Sequence, residues 1–282
     1  MIISVGEVVW DIFPDREVLG GAPINVAYHL RSLQLEVGIL TRIGRDDLGS
    51  QTLARLAALG LPVDGVQLDE VLPTGRVNIS FDARKEPRFD IVAPAAWDNL
   101  DLPAALRQVD GKEFSLVYGT LAQRNSSSRK VIRELWSRAT FCFYDVNLRP
   151  PHTTEELVKE SLAAADLVKL NEQEFRIIAS WEKIIGKDKK NIAHELCRRY
   201  DLVALVVTGG SEGAWLVSDG DYFENPAMPT QVADTVGAGD AFFAALIEGY
   251  LQKRPWPEIL AGANKRGAYV ASRHGATPPM KD

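Results

Sequence analysis

The sequence predicts an α/β fold in which a mostly parallel sheet is layered between helices and carries a small β-stranded appendage. Three observations point there. Apolar runs of strand length alternate with helix-period patterns over most of the 282 residues. Residues 141–145, 167–170 and 202–207 are mostly apolar without alternation, which predicts strands covered on both faces. Residues 74–90 have another texture: Val77, Ile79 and Phe81 alternate with polar neighbours around a Lys85-Glu86-Pro87 turn, which predicts an antiparallel hairpin with one wet face.

The elements follow in order. A first strand ends at Gly6-Glu7, and the apolar run Val8-Val9-Trp10 leads to Asp11 at a strand end. Val26, Leu30 and Leu33 mark a helix, and a strand follows at 37–43. After the 141–145 strand, Thr153-Thr154-Glu155-Glu156 reads as a capping box opening a helix through about residue 165. Phe243, Leu246, Ile247, Tyr250 and Leu251 recur at i, i+3, i+4, i+7 and i+8, so a helix with one apolar face begins just after Gly239, with Asp240 at or beside its N-terminus. Pro257 sits in the first turn of a last helix running toward Arg273. No internal repeat or low-complexity linker is visible, so one layered domain is expected over residues 1–282. A hairpin breaking into an α/β chain predicts a lid, built from about residues 11–21 and 74–92.

Composition narrows the function. Hydrophobic residues are 46% and charged residues 25% of the chain, an ordinary globular balance. A net charge of −6 without a compensating basic block argues against a nucleic-acid partner. The N-terminus meets Glu7 before any basic region, and no apolar run reaches the ~18 residues a bilayer span needs, so neither a signal peptide nor a membrane partner is expected. Cys142 and Cys197 lie far apart without metal spacing and read as buried thiols of a reducing compartment. His29, His152, His194 and His274 form no ligand cluster. A cytoplasmic protein without a structural metal is the expectation.

The chemistry concentrates after predicted strands, where open α/β sheets bind ligands. In Gly237-Ala238-Gly239-Asp240, small residues let the backbone approach a ligand, and the helix start offers free N–H groups to an anion. Asp240 in the same turn can accept a proton from a hydroxyl, or simply cap the helix. Gly20-Gly21-Ala22-Pro23-Ile24-Asn25 can offer backbone and amide groups to sugar hydroxyls. Asn171 with Glu174 three residues on is itself a capping box, so the residues alone leave cap and metal ligand both open. Thr208-Gly209-Gly210-Ser211-Glu212-Gly213 reads as a glycine turn between strands. There is no G-x-x-x-x-G-K-[ST], hence no Walker lysine to neutralise phosphates; G-x-G-x-x-G after the first strand and G-x-S-x-G are missing too.

Asp234-Thr235-Val236-Gly237-Ala238-Gly239-Asp240 running into an apolar helix resembles the C-terminal signature of the ribokinase-like (PfkB) carbohydrate kinases. Gly20-Gly21-Ala22-Pro23-Ile24-Asn25 resembles the N-terminal signature of the family, in the form associated with its fructokinase branch, and the 41–49 segment extends the match. Asp145-Val146-Asn147-Leu148-Arg149, Asn171-x-x-Glu174 and the 208–213 turn follow in family order. The resemblance implies a three-layer α/β/α domain with a β lid, using ATP and Mg²⁺ to phosphorylate a primary hydroxyl of a small sugar.

It implies Asp240 as catalytic base and the Gly237, Ala238 and Gly239 amides as an anion hole. Asp11, Gly20, Gly21, Asn25 and Arg149, with Arg88 from the lid, would meet the sugar. Asn171, Thr208, Gly210, Gly213, Gly237, Gly239 and Asn264 would meet the nucleotide. Glu174 would hold Mg²⁺ through water, and Asp234 a monovalent cation, K⁺, near residues 275–278. Trp10 beside Asp11 would narrow the sugar pocket. Fructose is the expected acceptor, ahead of 2-keto-3-deoxygluconate and ribose. A homodimer joined through the lid edges and a non-catalytic sugar sensor on the same fold are the other expectations.

Overall fold

Strand and helix alternate along the chain as the apolar runs predict, and the computed structural model describes them over residues 1–81, 87–184, 186 and 188–280. The strands are β1 (Ile2–Val5), β2 (Val9–Ile12), β3 (Glu17–Gly20), β4 (Val37–Gly44), β5 (Val66–Asp69), β6 (Gly75–Phe81), β7 (Pro87–Ile91), β8 (Ser115–Gly119), β9 (Phe141–Asp145), β10 (Leu167–Asn171), β11 (Ala204–Thr208), β12 (Ala214–Ser218) and β13 (Asp221–Asn225). The helices are α1 (Ala22–Ser32), α2 (Asp47–Ala58), α3 (Leu102–Val109), α4 (Ser126–Trp136), α5 (Glu155–Ala163), α6 (Glu172–Trp181), α7 (Lys189–Tyr200), α8 (Ala238–Leu251) and α9 (Trp256–Ala271).

Nine strands form one sheet in the order β13-β12-β11-β10-β9-β8-β1-β4-β5. From β5 to β11 neighbouring strands are parallel, and β12 and β13 close the other edge antiparallel. Strand residues go alternately to two cores, as period-two side chains must. Ile3, Val5, Leu116, Tyr118, Cys142, Tyr144, Val168 and Leu170 pack with α3 to α7. Ile2, Ile39, Val117, Phe143, Leu167 and Val206 pack with α1, α8 and α9. Both faces are therefore covered, which is why these strands read as continuous apolar runs.

A second sheet, β3-β2-β6-β7, stands beside the first. Its β6–β7 ladder is antiparallel with Val77 and Ile79 buried and Arg76, Asn78 and Ser80 exposed, as the alternation predicts. Lys85 and Glu86 of the expected turn lie outside the described residues. The sheet includes Val9, so it starts earlier than residue 11, and Asp11 sits inside β2 instead of at its end. Trp10 does not crowd Asp11: the indole is buried and its Nε1 donates to Thr52 Oγ1 of α2 at 2.8 Å.

Four other expectations shift. The cap of α5 is Thr154, whose side chain accepts from the Leu157 amide; an apolar residue stands where a box needs an acid, so the motif is a plain cap. The 202–207 strand begins at Ala204, because the Leu202 amide is taken by Cys197 O at the end of α7. Cys142 is buried but Cys197 only half-buried. Helix α8 is buried all round from Ala241 to Gly249, while Leu251 is exposed. Packed between the sheet, α1 and α9, it has no wet face to show; its alanines and Gly249 allow the close approach, a side chain at 249 standing 2.9 Å from Ile259 Cγ1. Among the described residues no helix is long and apolar enough to cross a membrane.

Leu246, fully buried at the centre of α8, reports on this packing. Leu246→Ala should cost about 2–5 kcal/mol in reversible urea unfolding. A loss under about 1 kcal/mol would contradict the all-round burial.

Candidate active site

Most of the expected residues, though not Arg88, lie where the parallel strands end or beside them. Helix α8 starts there with Gly237 as N-cap at φ 76. Only glycine fits: besides the left-handed backbone, a Cβ at 237 would lie 2.4 Å from Ala276 Cβ. Asp240 occupies the third helical position, so it is not the cap, and its carboxylate is free of that duty. The first-turn amides of α8 have no partner inside the helix and point to the site. The Ala238 amide, however, donates to Thr235 O at 3.2 Å, so that member of the expected anion hole is engaged in this conformation.

Asp240 is held from the far end of the chain. Asn25, in the first turn of α1, donates from Nδ2 to Asp240 Oδ2 at 2.8 Å. Burial pushes the Asp240 carboxyl up to about 6, and the Asp145 charge adds to the rise against the pull of Lys169, Asn25 and Arg149. A carboxyl so placed binds a proton more readily than an exposed one. Asn25 Oδ1 is itself buried without a partner, an acceptor left over in the site.

Sequence reasoning missed the cation beneath this turn. Lys169 of β10 donates from Nζ to Asp145 Oδ1 and Oδ2 at 2.9 and 3.1 Å, with both residues buried. A side chain at Gly239 would meet that Nζ at 3.3 Å, so the ammonium lies against the second residue of α8. Burial works against the charge, yet Asp145, Glu174 and Asp240 outweigh it and the Lys169 pKa is raised. The signal was in the sequence: one lysine inside a strand covered on both faces must have a buried partner.

Beside it, Asn171 Oδ1 accepts from the Glu174 amide at 2.9 Å and Glu174 Oε2 from the Asn171 amide at 2.8 Å, so the capping box forms. Glu174 Oε1 also accepts from the Leu148 amide at 2.8 Å, and burial, then Asp145, raises its pKa. Among the described residues no three His, Cys, Asp or Glu side chains gather as a metal cage. Thr208 is the register partner of Asn171, and its hydroxyl donates to Leu170 O at 3.2 Å. Gly210 and Gly213 turn the chain into β12 at φ 59 and 93. Asn264 of α9 spends its amide on Asn225 O and Oδ1 at 3.0 and 2.8 Å. Asp234 accepts from the Val236 and Gly275 amides, both at 3.0 Å.

On the other side, burial lifts Asp11 to about 6, opposed by Arg149. Gly20 leaves its carboxylate open, since a side chain there would stand 3.2 Å from Asp11 Oδ2. Gly21, at φ 114, backs onto Glu7 O, which a Cβ would approach to 2.5 Å. Arg149 is exposed, donates to Leu148 O at 3.0 Å, and opposes the rise of Glu7, Asp11 and Asp240 alike. Arg88 is exposed on β7 opposite Ser80, in the small sheet and not among the strand ends. Glu7 was not foreseen as a site residue. It is 4% exposed at the end of β1, its Oε2 has no partner, and burial carries its carboxyl to about 7, with the Asp240 charge adding to the rise.

The sequence and the fold have counterparts among known proteins. The chain is 29% identical over 300 residues to the fructokinase of Klebsiella pneumoniae, covering 99% of this chain and 96% of that one. Its fold superposes with TM-score 0.83 on the Vibrio cholerae O395 fructokinase bound to fructose, ADP and calcium, at 22% identity over 98% of this chain and 94% of that one. A sugar kinase from Pyrococcus horikoshii in complex with ATP also gives TM-score 0.83, at 22% identity over 98% and 94% of the two chains. The pattern of the pfkB family carbohydrate kinases matches residues 6–282. Because that pattern spans nearly the whole chain, the chain belongs to the pfkB family of carbohydrate kinases.

Proposed function

We propose that this carbohydrate kinase transfers the γ-phosphoryl group of ATP to a primary hydroxyl of D-fructose, with Asp240 as general base. One observation carries the reading: Asp240 is gripped by Asn25 at 2.8 Å in the first turn of α8, beside the buried Lys169 ammonium. A carboxylate with raised proton affinity, fixed next to a cluster of positive potential, suits a reaction won by positioning and electrostatics. The hydroxyl proton goes to Asp240 as the oxygen attacks. The first-turn amides of α8 and Lys169 stabilise charge on the transferred group, Ala238 joining once its amide leaves Thr235.

Asp11, Asn25, Arg149 and the Gly20-Gly21 backbone hold the sugar hydroxyls, and Arg88 arrives with the small sheet. That sheet acts as the lid of a single kinase domain and excludes water that would compete as acceptor. Its outer strands β3 and β7, with Phe89 exposed on β7, are the edges through which two copies would pair. Asn171, Thr208, Gly210, Gly213 and Asn264 line the nucleotide. Mg²⁺ fits the donor set, because it keeps waters and phosphate oxygens and needs only a carboxylate or two. Glu174, buried with each oxygen on one amide, would hold it through water, and the ion would supply charge neutralisation for the phosphates. Asp234 retains lone pairs for K⁺ beside the 275–278 segment. Fructose is favoured by the Gly20-Gly21-Ala22-Pro23 loop and by the relative from Klebsiella pneumoniae.

Coupled ATP turnover with fructose, 2-keto-3-deoxygluconate, ribose and glucose tests the acceptor. A kcat/KM for fructose at least tenfold above the rest is expected; a lead for the keto acid replaces fructose, and no turnover with measurable sugar binding returns the sensor reading.

Asp240→Asn should lower kcat by roughly 10²–10⁴-fold and leave ATP affinity within about twofold. A variant within tenfold of the wild-type rate removes Asp240 from the base role.

The pH profile follows from the same group. The base works only when ionised, and burial has raised its pKa to about 6, so kcat/KM should hold above that value and decline as pH falls through it. A profile flat down to pH 4.5 contradicts the assignment.

A further inference from the structure

His29 lies on α1 one turn beyond Asn25 and therefore on the same face of the helix. It is fully buried, and its Nε2 stands 2.9 Å from Ala276 O. A carbonyl only accepts, so Nε2 carries the proton and Nδ1 keeps a lone pair, which faces Arg266 NH2 at 3.4 Å. That guanidinium also donates to His29 O at 3.1 Å and to Ser32 Oγ. Burial and Arg266 together hold the imidazole pKa down at about 4, so the ring is a neutral, fixed donor across the working pH range.

Its acceptor is not an arbitrary carbonyl. Ala276 presses directly on the N-cap of α8, its Cα and Cβ standing 2.5 and 2.4 Å from where a side chain at Gly237 would begin. The segment around it forms a strap tied at several points. Gly275 N donates to Asp234 Oδ2 at 3.0 Å, Tyr28 OH to Pro278 O at 2.8 Å and Tyr269 OH to Pro279 O at 2.9 Å. Of these ties, only the one from His29 grips the residue that touches Gly237. Helix α1 thus reaches the catalytic turn twice, through Asn25 on Asp240 and through His29 and Ala276 on Gly237.

We infer that His29 is a positioning residue for phosphoryl transfer: by holding Ala276 against Gly237 it keeps the first turn of α8 aimed at the nucleotide phosphates. The consequence is a split. Loosening the strap moves the phosphate-facing amides, while the Asp11, Gly20 and Gly21 sugar contacts, on the other side of Asn25, stay in place. The turnover arm of the test rests on the kinase reading above; the binding arm does not.

Calorimetric titration with ATP and with fructose, and steady-state kinetics, on His29→Phe, His29→Gln and Tyr28→Phe decide it. His29→Phe keeps a ring and removes both nitrogens; ATP binding should weaken about tenfold and kcat fall at least as much, with fructose affinity within about twofold. His29→Gln restores a donor and should recover at least half of the wild-type ATP affinity. Tyr28→Phe removes the next tie and should weaken ATP binding by a smaller factor, which also decides the matter if His29→Phe does not fold. Unchanged ATP affinity in the variant that decides overturns the inference. So does a parallel loss of ATP and fructose affinity that His29→Gln fails to restore, since that marks general loosening. If wild-type protein turns over no acceptor, the kinase reading falls while the ATP titration still judges the strap.

Discussion

A single buried lysine sets the terms for the rest of the site. Lys169 stands in the middle of a parallel sheet with both faces covered, where an unpaired ammonium would cost several kcal/mol. Asp145 grips it through both oxygens, and Glu174 and Asp240 supply further negative potential. The dependence runs both ways. Glu174 and Asp240 each feel that cation, and each would bind its proton more tightly without it. A Cβ at Gly239 would stand 3.3 Å from the ammonium, so a side chain there would push on the lysine that Asp145 holds. Charge pairing in β9 and β10 thus favours a small residue in the first turn of α8.

The second constraint is chain-length closure. Asn25 and Asp240 are 215 residues apart, and His29 and Ala276 are separated by 247. Both contacts depend on α1 and α8 meeting on one face of the sheet, through Ile24, Ala27, Phe243 and Ile247. Small residues along α8 make that approach possible. The base and its support are therefore held by tertiary packing, not by local propensity, while the glycine turn that carries them is specified locally.

What could be read from sequence divides along the same line. The 141–145 strand, the 37–43 strand, the β6–β7 alternation and the α8 start are local patterns, and each was legible because its period or its glycines depend on near neighbours. The Asn171 and Glu174 box was legible for the same reason. For Lys169 the need for a buried partner was legible but its identity, Asp145, was not, and Glu7 and His29 were not legible at all, since each owes its importance to partners far along the chain. The Trp10 indole was not legible either: the pleat sends it to the face opposite Asp11, but its partner Thr52 lies 42 residues on, in α2. The all-round burial of α8 was hidden too: alanines read as neutral on a wheel but become core when helices press on both sides.

The acidic pocket bears a stability cost that argues for its use. Burial raises Glu7 from 4.5 to about 7, and Asp11 and Asp240 from 3.8 to about 6. A group whose proton is held more tightly in the folded chain than in the unfolded one contributes stability below the unfolded value, and loses it as pH rises through the folded value. For these three carboxyls the contribution is complete below about pH 4 and gone above about pH 7, so near neutrality their buried charges work against the fold. Glu7 Oε2 and Asn25 Oδ1, both buried without partners, add to that debt. A chain that needed only to fold would fill these positions with apolar side chains. Three desolvated acids around Arg149, one of them held by Asn25 of α1, therefore fit the proposed role of this region in meeting hydroxyl groups better than a purely structural one.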